Sequence, residues 1–255
     1  MKTWRLELWK YYELFGKETV FLPIKPKTKG PPLVGLINGK WQAGKAGKEW
    51  QKTTFAQTQT EAYQRLLANN SIGVLLGPAS GRLADLDLDT FPAVDLFVAA
   101  NPWVKDTIQS AGQRGRHYFF RLDGDGDYPA AQAVYTIKLA KTGEKVGEWR
   151  VGGSGLGAQT LIAGEHKNST PQKRIDYKIL EENQPLVIVP GQIKWPKEFV
   201  LTAKEAAPKP AKLTQAHAPS QEVLQRISPL IWTRSQAQSA ARAGTIRRLK
   251  WPVVW

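Results

Sequence analysis

The chain has 255 residues, is 42% hydrophobic and contains no cysteine, so it can bury a sizeable core and can form neither disulfides nor thiolate metal sites. Its formal net charge of +14 and sequence pI near 9.9 point to polyanionic partners, nucleic acid first among them. No apolar stretch approaches the roughly 20 residues of a membrane span, and the charged start Met1-Lys2-Thr3-Trp4-Arg5 lacks the apolar core of a secretion signal; a cytoplasmic, nucleoid-associated protein with no membrane partner is expected.

Apolar residues at 4, 8, 9, 12 and 15 recur with helical spacing and predict a core-facing helix from Trp4 to Phe15, ending near Gly16. A short strand from Thr19 to Ile24 leads into a basic loop, Lys25 to Pro32, whose prolines and glycine bar regular structure. Its Lys25, Lys27 and Lys29 are either solvated or bind DNA phosphates. Thr58 or Thr60 caps a helix through Ala62 to Leu67 that Asn69-Asn70 ends. The apolar run Ile72 to Gly77 reads as a strand, Pro78 to Gly81 as a turn, and Leu83 onward as a second strand.

That second strand carries Asp85-Leu86-Asp87-Leu88-Asp89. Side chains alternate across a strand, which puts the three aspartates on one face and the two leucines on the other. Carboxylates so placed repel one another unless they are well solvated, share protons or bind hard cations such as Mg²⁺ or Mn²⁺ through oxygen. An acidic cluster in a basic protein is the pairing that phosphodiester chemistry needs, with cationic surface holding the polymer and carboxylates holding metals at the reacting phosphate.

A helix is expected over Ala93 to Ala100, stopped by Asn101-Pro102, followed by strands at Arg116 to Leu122, Lys145 to Val151 and Gln159 to Ala163. In the first of these, alternation sets His117, Phe119 and Arg121 against Arg116, Tyr118 and Phe120; His117 is either a phosphate ligand or a buried, hydrogen-bonded core histidine. In the second, Glu148 and Arg150 oppose Trp149 and Val151, so that Glu148 either completes a metal site or ion-pairs with Arg150. The glycine-rich stretch Gly152 to Gly157 lacks the Gly-Lys-Ser/Thr ending of an ATPase loop. Asp123 to Asp127 begins like a calcium loop, but Tyr128 and Val134 stand where glycine and glutamate belong, which leaves an acidic turn. Residues 1–203 are read as one domain and 204–220, rich in Ala, Pro and Lys, as a linker. The basic segment 221–255, with Trp232, Trp251 and Trp255, is either a nucleic-acid or partner-binding appendage, helical or weakly ordered, or a truncated end.

Taken in order, these segments resemble the primase-polymerase domain of the archaeo-eukaryotic primase superfamily, in the form found in plasmid, phage and prophage replication proteins. The resemblance runs from the Val20-Phe21-Leu22-Pro23-Ile24 strand with Lys29-Gly30-Pro31, through Trp50, Thr53-Thr54, Ile72-Gly73-Val74, Gly77 and Ser80-Gly81, to the aspartate strand. Gly115-Arg116-His117-Tyr118-Phe119-Phe120, Glu148, Gly155, Gln159-Thr160 and His166 close the series. It implies an α/β (α+β) fold in which a recognition-motif-like antiparallel sheet carries the acids and packs on a second α/β subdomain. Carried over by position, Asp87, Asp89 and Glu148 are the catalytic, metal-binding acids, with Asp85 as the alternative member of the aspartate pair. His117 becomes the triphosphate ligand, and Arg116, Arg150, Gln159 and His166 further nucleotide-lining residues. The chain departs from the family at Ala163-Gly164-Glu165-His166, where prolines and a serine are usual.

The activity implied is template-directed nucleotidyl transfer from (d)NTPs on single-stranded DNA, by two Mg²⁺ or Mn²⁺ ions that align a 3′-hydroxyl with an α-phosphate. A separate replicative helicase is the implied partner. Two other readings are a catalytically silent single-strand-binding or replication-initiation module with the same fold, and a metal-dependent nuclease. The first predicts DNA binding that survives loss of Asp87 and Asp89; the second has no need of a triphosphate ligand at His117.

Overall fold

The helical spacing at the start of the chain yields helix α1 (Thr3–Phe15), closed by Gly16 with φ +96°, in a computed structural model that describes residues 3–29, 32, 34–37, 40–43, 48–123, 134–153 and 157–203, without the side chains of 3–7, 34–37, 40–43, 48 and 49. Leu8, Tyr12 and Phe15 face the core as expected. Trp9 does not: it is 49% exposed and its Nε1 donates to Glu13 Oε1 at 2.7 Å. The expected linker 204–220 and basic segment 221–255, most of the acidic turn and the middle of the glycine-rich stretch lie outside the described residues.

Strand β1 (Phe21–Ile24) is followed by a hairpin absent from the expectations, β2 (Val34–Ile37) and β3 (Lys40–Ala43). A single-turn α2 (Phe55–Thr58) precedes α3 (Glu61–Ala68), and it is Thr60, not Thr58, that caps α3 by accepting from Tyr63 N at 3.3 Å. Then come β4 (Ser71–Leu76), β5 (Leu83–Leu88) and α4 (Phe91–Ala100), whose N-cap is Thr90. The remainder is strand: β6 (Gln109–Ala111), β7 (Arg116–Leu122), β8 (Val134–Leu139), β9 (Lys145–Arg150), β10 (Ala158–Glu165), β11 (Asp176–Glu181), β12 (Leu186–Ile188) and β13 (Phe199–Ala203). Among the described residues no helix is long and apolar enough to cross a membrane.

The protein is thus mixed α/β, with few helices and one large sheet in the order β1-β4-β10-β11-β6-β7-β5-β9-β8-β13; β12 runs beside β7 in the only parallel pairing of that sheet among the described residues. The acid strand β5 is central, flanked by β7 and β9. Its alternation is as the sequence predicts. Ala84, Leu86 and Leu88 enter a core with Tyr118, Phe120 and Trp149 that Val94 and Phe97 of α4 cover. On the N-terminal side, Phe15 of α1 and Tyr63 and Leu67 of α3 pack on Phe21, Val74 and Leu76. Side chains of this size contribute about 1.5–3 kcal/mol each when fully buried. Arg121 leaves the chemistry altogether, because its guanidinium donates to the backbone carbonyls of Ser80 at 2.8 Å, Gly81 at 2.7 Å and Phe15, which ties the end of α1 to the β4–β5 turn.

Candidate active site

Strand register builds the centre of the site. Asp87 on β5 lies directly opposite His117 on β7 and directly opposite Glu148 on β9. Residues so opposed have Cβ atoms about 4.5–5.5 Å apart, so a basic and two acidic groups from distant parts of the chain stand in one row. Two glycines let the flanking segments approach the β5 backbone this closely. Gly115 has φ +71°, and a Cβ there would lie 1.8 Å from Leu88 O; a Cβ on Gly147 would lie 2.3 Å from Asp87 O. Asp89 follows the last residue of β5 and precedes the Thr90 cap of α4, so both elements hold its backbone.

Asp85 is fully buried behind this row. Its oxygens lie 3.1 and 3.2 Å from His117 Nδ1. A carboxylate can only accept, so Nδ1 carries the proton and His117 Nε2 is turned toward Asp87 Oδ1, 3.5 Å away. Burial would lower the histidine's pKa, but the charges of Asp87 and Asp85 win and raise it. For Asp87 burial works the other way, and His117, Arg150 and Lys29 outweigh it, bringing the carboxyl down to about 2.

One guanidinium binds three of the acids. Arg150 donates from Nε to Glu148 Oε2 at 2.9 Å, from Nη1 to Asp85 Oδ2 at 2.9 Å and Thr160 Oγ1 at 3.0 Å, and from Nη2 to Asp87 Oδ2 at 2.5 Å. Lys145 Nζ adds a 2.6 Å bond to Glu148 Oε1. The expected alternative of a Glu148–Arg150 ion pair therefore exists, inside the site instead of on the surface. Asp89 stands apart: among the described residues its carboxylate has no hydrogen-bond or ion-pair partner, and burial and the neighbouring Asp87 charge raise its pKa.

Asp87, Asp89, Glu148, His117 and Arg150 line one cavity of about 460 Å³, which also has an apolar wall of Trp50, Val134 and Leu161. A second cavity, about 150 Å³, shares Asp87, Asp89, His117, Lys29 and Tyr177 with the first. It adds the exposed Arg114 and Lys167 and the buried His166. The loops that carry them are joined by Asn168 Nδ2 donating to Gln113 Oε1 at 2.6 Å. His166 Nδ1 accepts from Asn168 N at 3.0 Å, which leaves the proton on Nε2; burial, Lys29 and Lys167 lower its pKa. Two polar atoms in the larger cavity's lining, Tyr177 Oη and Gln159 Oε1, are buried with no hydrogen-bond partner among the described residues. Each costs about 1–3 kcal/mol unless something else meets it.

Of the residues expected at the site, the structure gathers Asp87, Asp89, Glu148, His117, Arg150, Gln159, His166 and Lys29 around these cavities. Arg116 is not among them. Neighbouring residues on a strand point to opposite faces, so Arg116 turns away from His117 and donates to Gln109 Oε1 at 3.3 Å. Neither Lys25 nor Lys27 lines a cavity, and Lys27 pairs with Glu165 at 3.3 Å. Sequence reasoning missed Lys145, Tyr177, Arg114 and Lys167. Only Arg114, beside Gly115-Arg116-His117, had a local signal; Tyr177 sits on β11, a strand the pattern did not disclose.

Oxygen donors and no thiolate suit a hard divalent cation, and the partly compensated Asp87/Asp89 pair calls for positive charge. The oxygen donors that line the cavity fit such an ion chemically. Among the described residues no three acids or histidines stand in ligating geometry, and Arg150 and Lys145 are what Asp87 and Glu148 bind. The model of the bifunctional DNA primase/polymerase N-terminal family matches residues 12–211, while no curated protein matches the chain. That span takes in β5, β7, β9 and both cavities, and it places this chain in the bifunctional DNA primase/polymerase family as a bearer of its N-terminal domain.

Proposed function

We propose that the protein is a template-directed DNA primase/polymerase that adds nucleotides from (d)NTPs along single-stranded DNA during replication of a plasmid, phage or prophage, working beside a separate helicase. Asp87, Asp89 and Glu148 would hold Mg²⁺ or Mn²⁺. The observation that carries this reading is the His117–Asp87–Glu148 row opening on a cavity that also receives Asp89 and is rimmed by cations. When bound, the ions would align a 3′-hydroxyl with an α-phosphate and offset the charge that develops there. The remaining work falls to the chain itself. His117, whose pKa the neighbouring Asp87 and Asp85 raise against burial, presents its Nε2 to a phosphate oxygen. Arg114, Lys167 and His166 hold the outer phosphates at the smaller cavity, while Trp50 and Leu161 exclude water around the nucleoside in the larger one.

In the same reading the strands that carry the acids are the recognition-motif-like sheet and the N-terminal half forms the subdomain against it. Residues 1–203 carry catalysis, 204–220 link them to the basic segment 221–255, and the Lys25–Lys29 loop follows the template backbone. The test is incubation of the full chain with labelled nucleotides, a single-stranded template and Mn²⁺. Template-length products that vanish in the Asp87→Ala, Asp89→Ala double variant support the reading. DNA binding without products in the wild type replaces it with the silent module, and a shortened template replaces it with a nuclease.

A further inference from the structure

Arg150 holds two kinds of partner. Nη1 is bound to Asp85, which is 0% exposed and lines neither cavity, and to Thr160, which is 3% exposed on the wall of the larger one. Nη2 and Nε are bound to Asp87 and Glu148, which face the larger cavity. Four of the side chain's five N–H donors are used in this way. The acids that a divalent cation would need are thus already neutralised by a cation the protein supplies, and a buried charge leaves such a partner only when both sides of the pair find replacements.

We propose that Arg150 is an exchangeable counter-ion, its guanidinium and a divalent cation competing for Asp87 and Glu148, with Nη1 tethered throughout to Asp85 and Thr160 while the freed Nη2–Nε edge stays facing the larger cavity. This rests on the metal-binding part of the proposed function and goes beyond it in two ways. It makes Asp85 a positioning residue that anchors both Arg150 and His117 and binds no metal. It also couples the metal and the nucleotide, because the displaced guanidinium needs an anion and the phosphates of a nucleotide are the anion the cavity would receive. The exchange conserves charge: the cation takes the carboxylates, and Arg150 takes the phosphate.

The test uses the full chain without nucleotide or DNA, in a sulfate buffer that supplies an anion for the displaced guanidinium. Titration calorimetry with Mn²⁺ is expected to find Arg150→Gln binding the ion about tenfold to a hundredfold more tightly than wild type, the range in which one charge-assisted contact lies. In EDTA the same variant melts at a lower temperature and Mn²⁺ restores it. A second measurement needs no variant that folds poorly. In wild-type protein labelled with ¹⁵N-arginine, the Arg150 Nε–H resonance, assigned by its absence in Arg150→Lys, shifts on saturation with Mg²⁺. An Arg150→Gln protein that binds Mn²⁺ no more tightly than wild type overturns the proposal, and so does an Arg150 resonance that Mg²⁺ leaves in place. Neither readout involves synthesis: exchange without template-length products would keep this inference and sink the polymerase reading, and products with an unmoved Arg150 would do the reverse.

Discussion

The two faces of the β7–β5–β9 ladder are built by the same three strands and held to opposite standards. On one, Leu86, Tyr118 and Trp149 meet α4 and gain from every atom taken out of water. On the other, Asp85, Asp87, His117, Glu148 and Arg150 are nearly as buried and gain only because each charge has a partner. The apolar face offers no charge for protons or ions to act on. The charged face answers to protons, cations and anions, and the stability invested in the first is what allows the second to exist at all.

The sharpest way to separate the faces is through synthesis. Asp87→Ala with Asp89→Ala should take template-directed incorporation to background while circular dichroism and affinity for single-stranded DNA stay near wild type. Next in size, Leu86→Ala should lower unfolding free energy by about 2–5 kcal/mol, by the same amount in Mg²⁺ as in EDTA when followed by urea denaturation; a metal-dependent loss would mean the faces are not independent.

A pH series sharpens the comparison further. Asp87 has a depressed pKa, so its contribution is present above the ordinary carboxylate range and is lost as pH falls from about 4 toward about 2, amounting to about 2 kcal/mol in the metal-free protein. His117 has the opposite sign: its contribution is full below the ordinary imidazole value near 6.5 and is lost as pH rises through its raised pKa. Denaturation curves should show both limbs, with Asp87→Asn removing the acid limb and Leu86→Ala leaving both in place. The smallest effect belongs to the rim. Arg114→Ala with Lys167→Ala, both exposed, should raise the KM for the nucleotide about tenfold, with kcat and melting temperature little changed.

Local pattern carried a good part of this far. The acid strand and its alternation, the strands at 116–122 and 145–150, and Thr60 as one of two candidate caps can be read from neighbours a few residues apart, because strand and helix periods are local properties. Short or polar strands escaped. β6 is Gln-Ser-Ala and β12 is Leu-Val-Ile, too brief for any period to show, and they become strands by pairing, β6 with β7 and β11 and β12 with β7. Trp9 broke the helical pattern by facing solvent, because its spacing suits the core but its indole reaches Glu13 on the outer side.

What the chain's order of residues determined alone is which residue types are present and which share a strand face: Asp85 with Asp87, Glu148 with Arg150, His117 apart from Arg116. Only the tertiary structure decided that Asp87 stands between His117 and Glu148, that Arg150 binds the acids, and that Tyr177 brings to the same cavity a hydroxyl with no hydrogen-bond partner among the described residues. Register between strands far apart in sequence is set by the packing of the whole sheet, and the charges that meet across it follow from that packing, leaving no local trace.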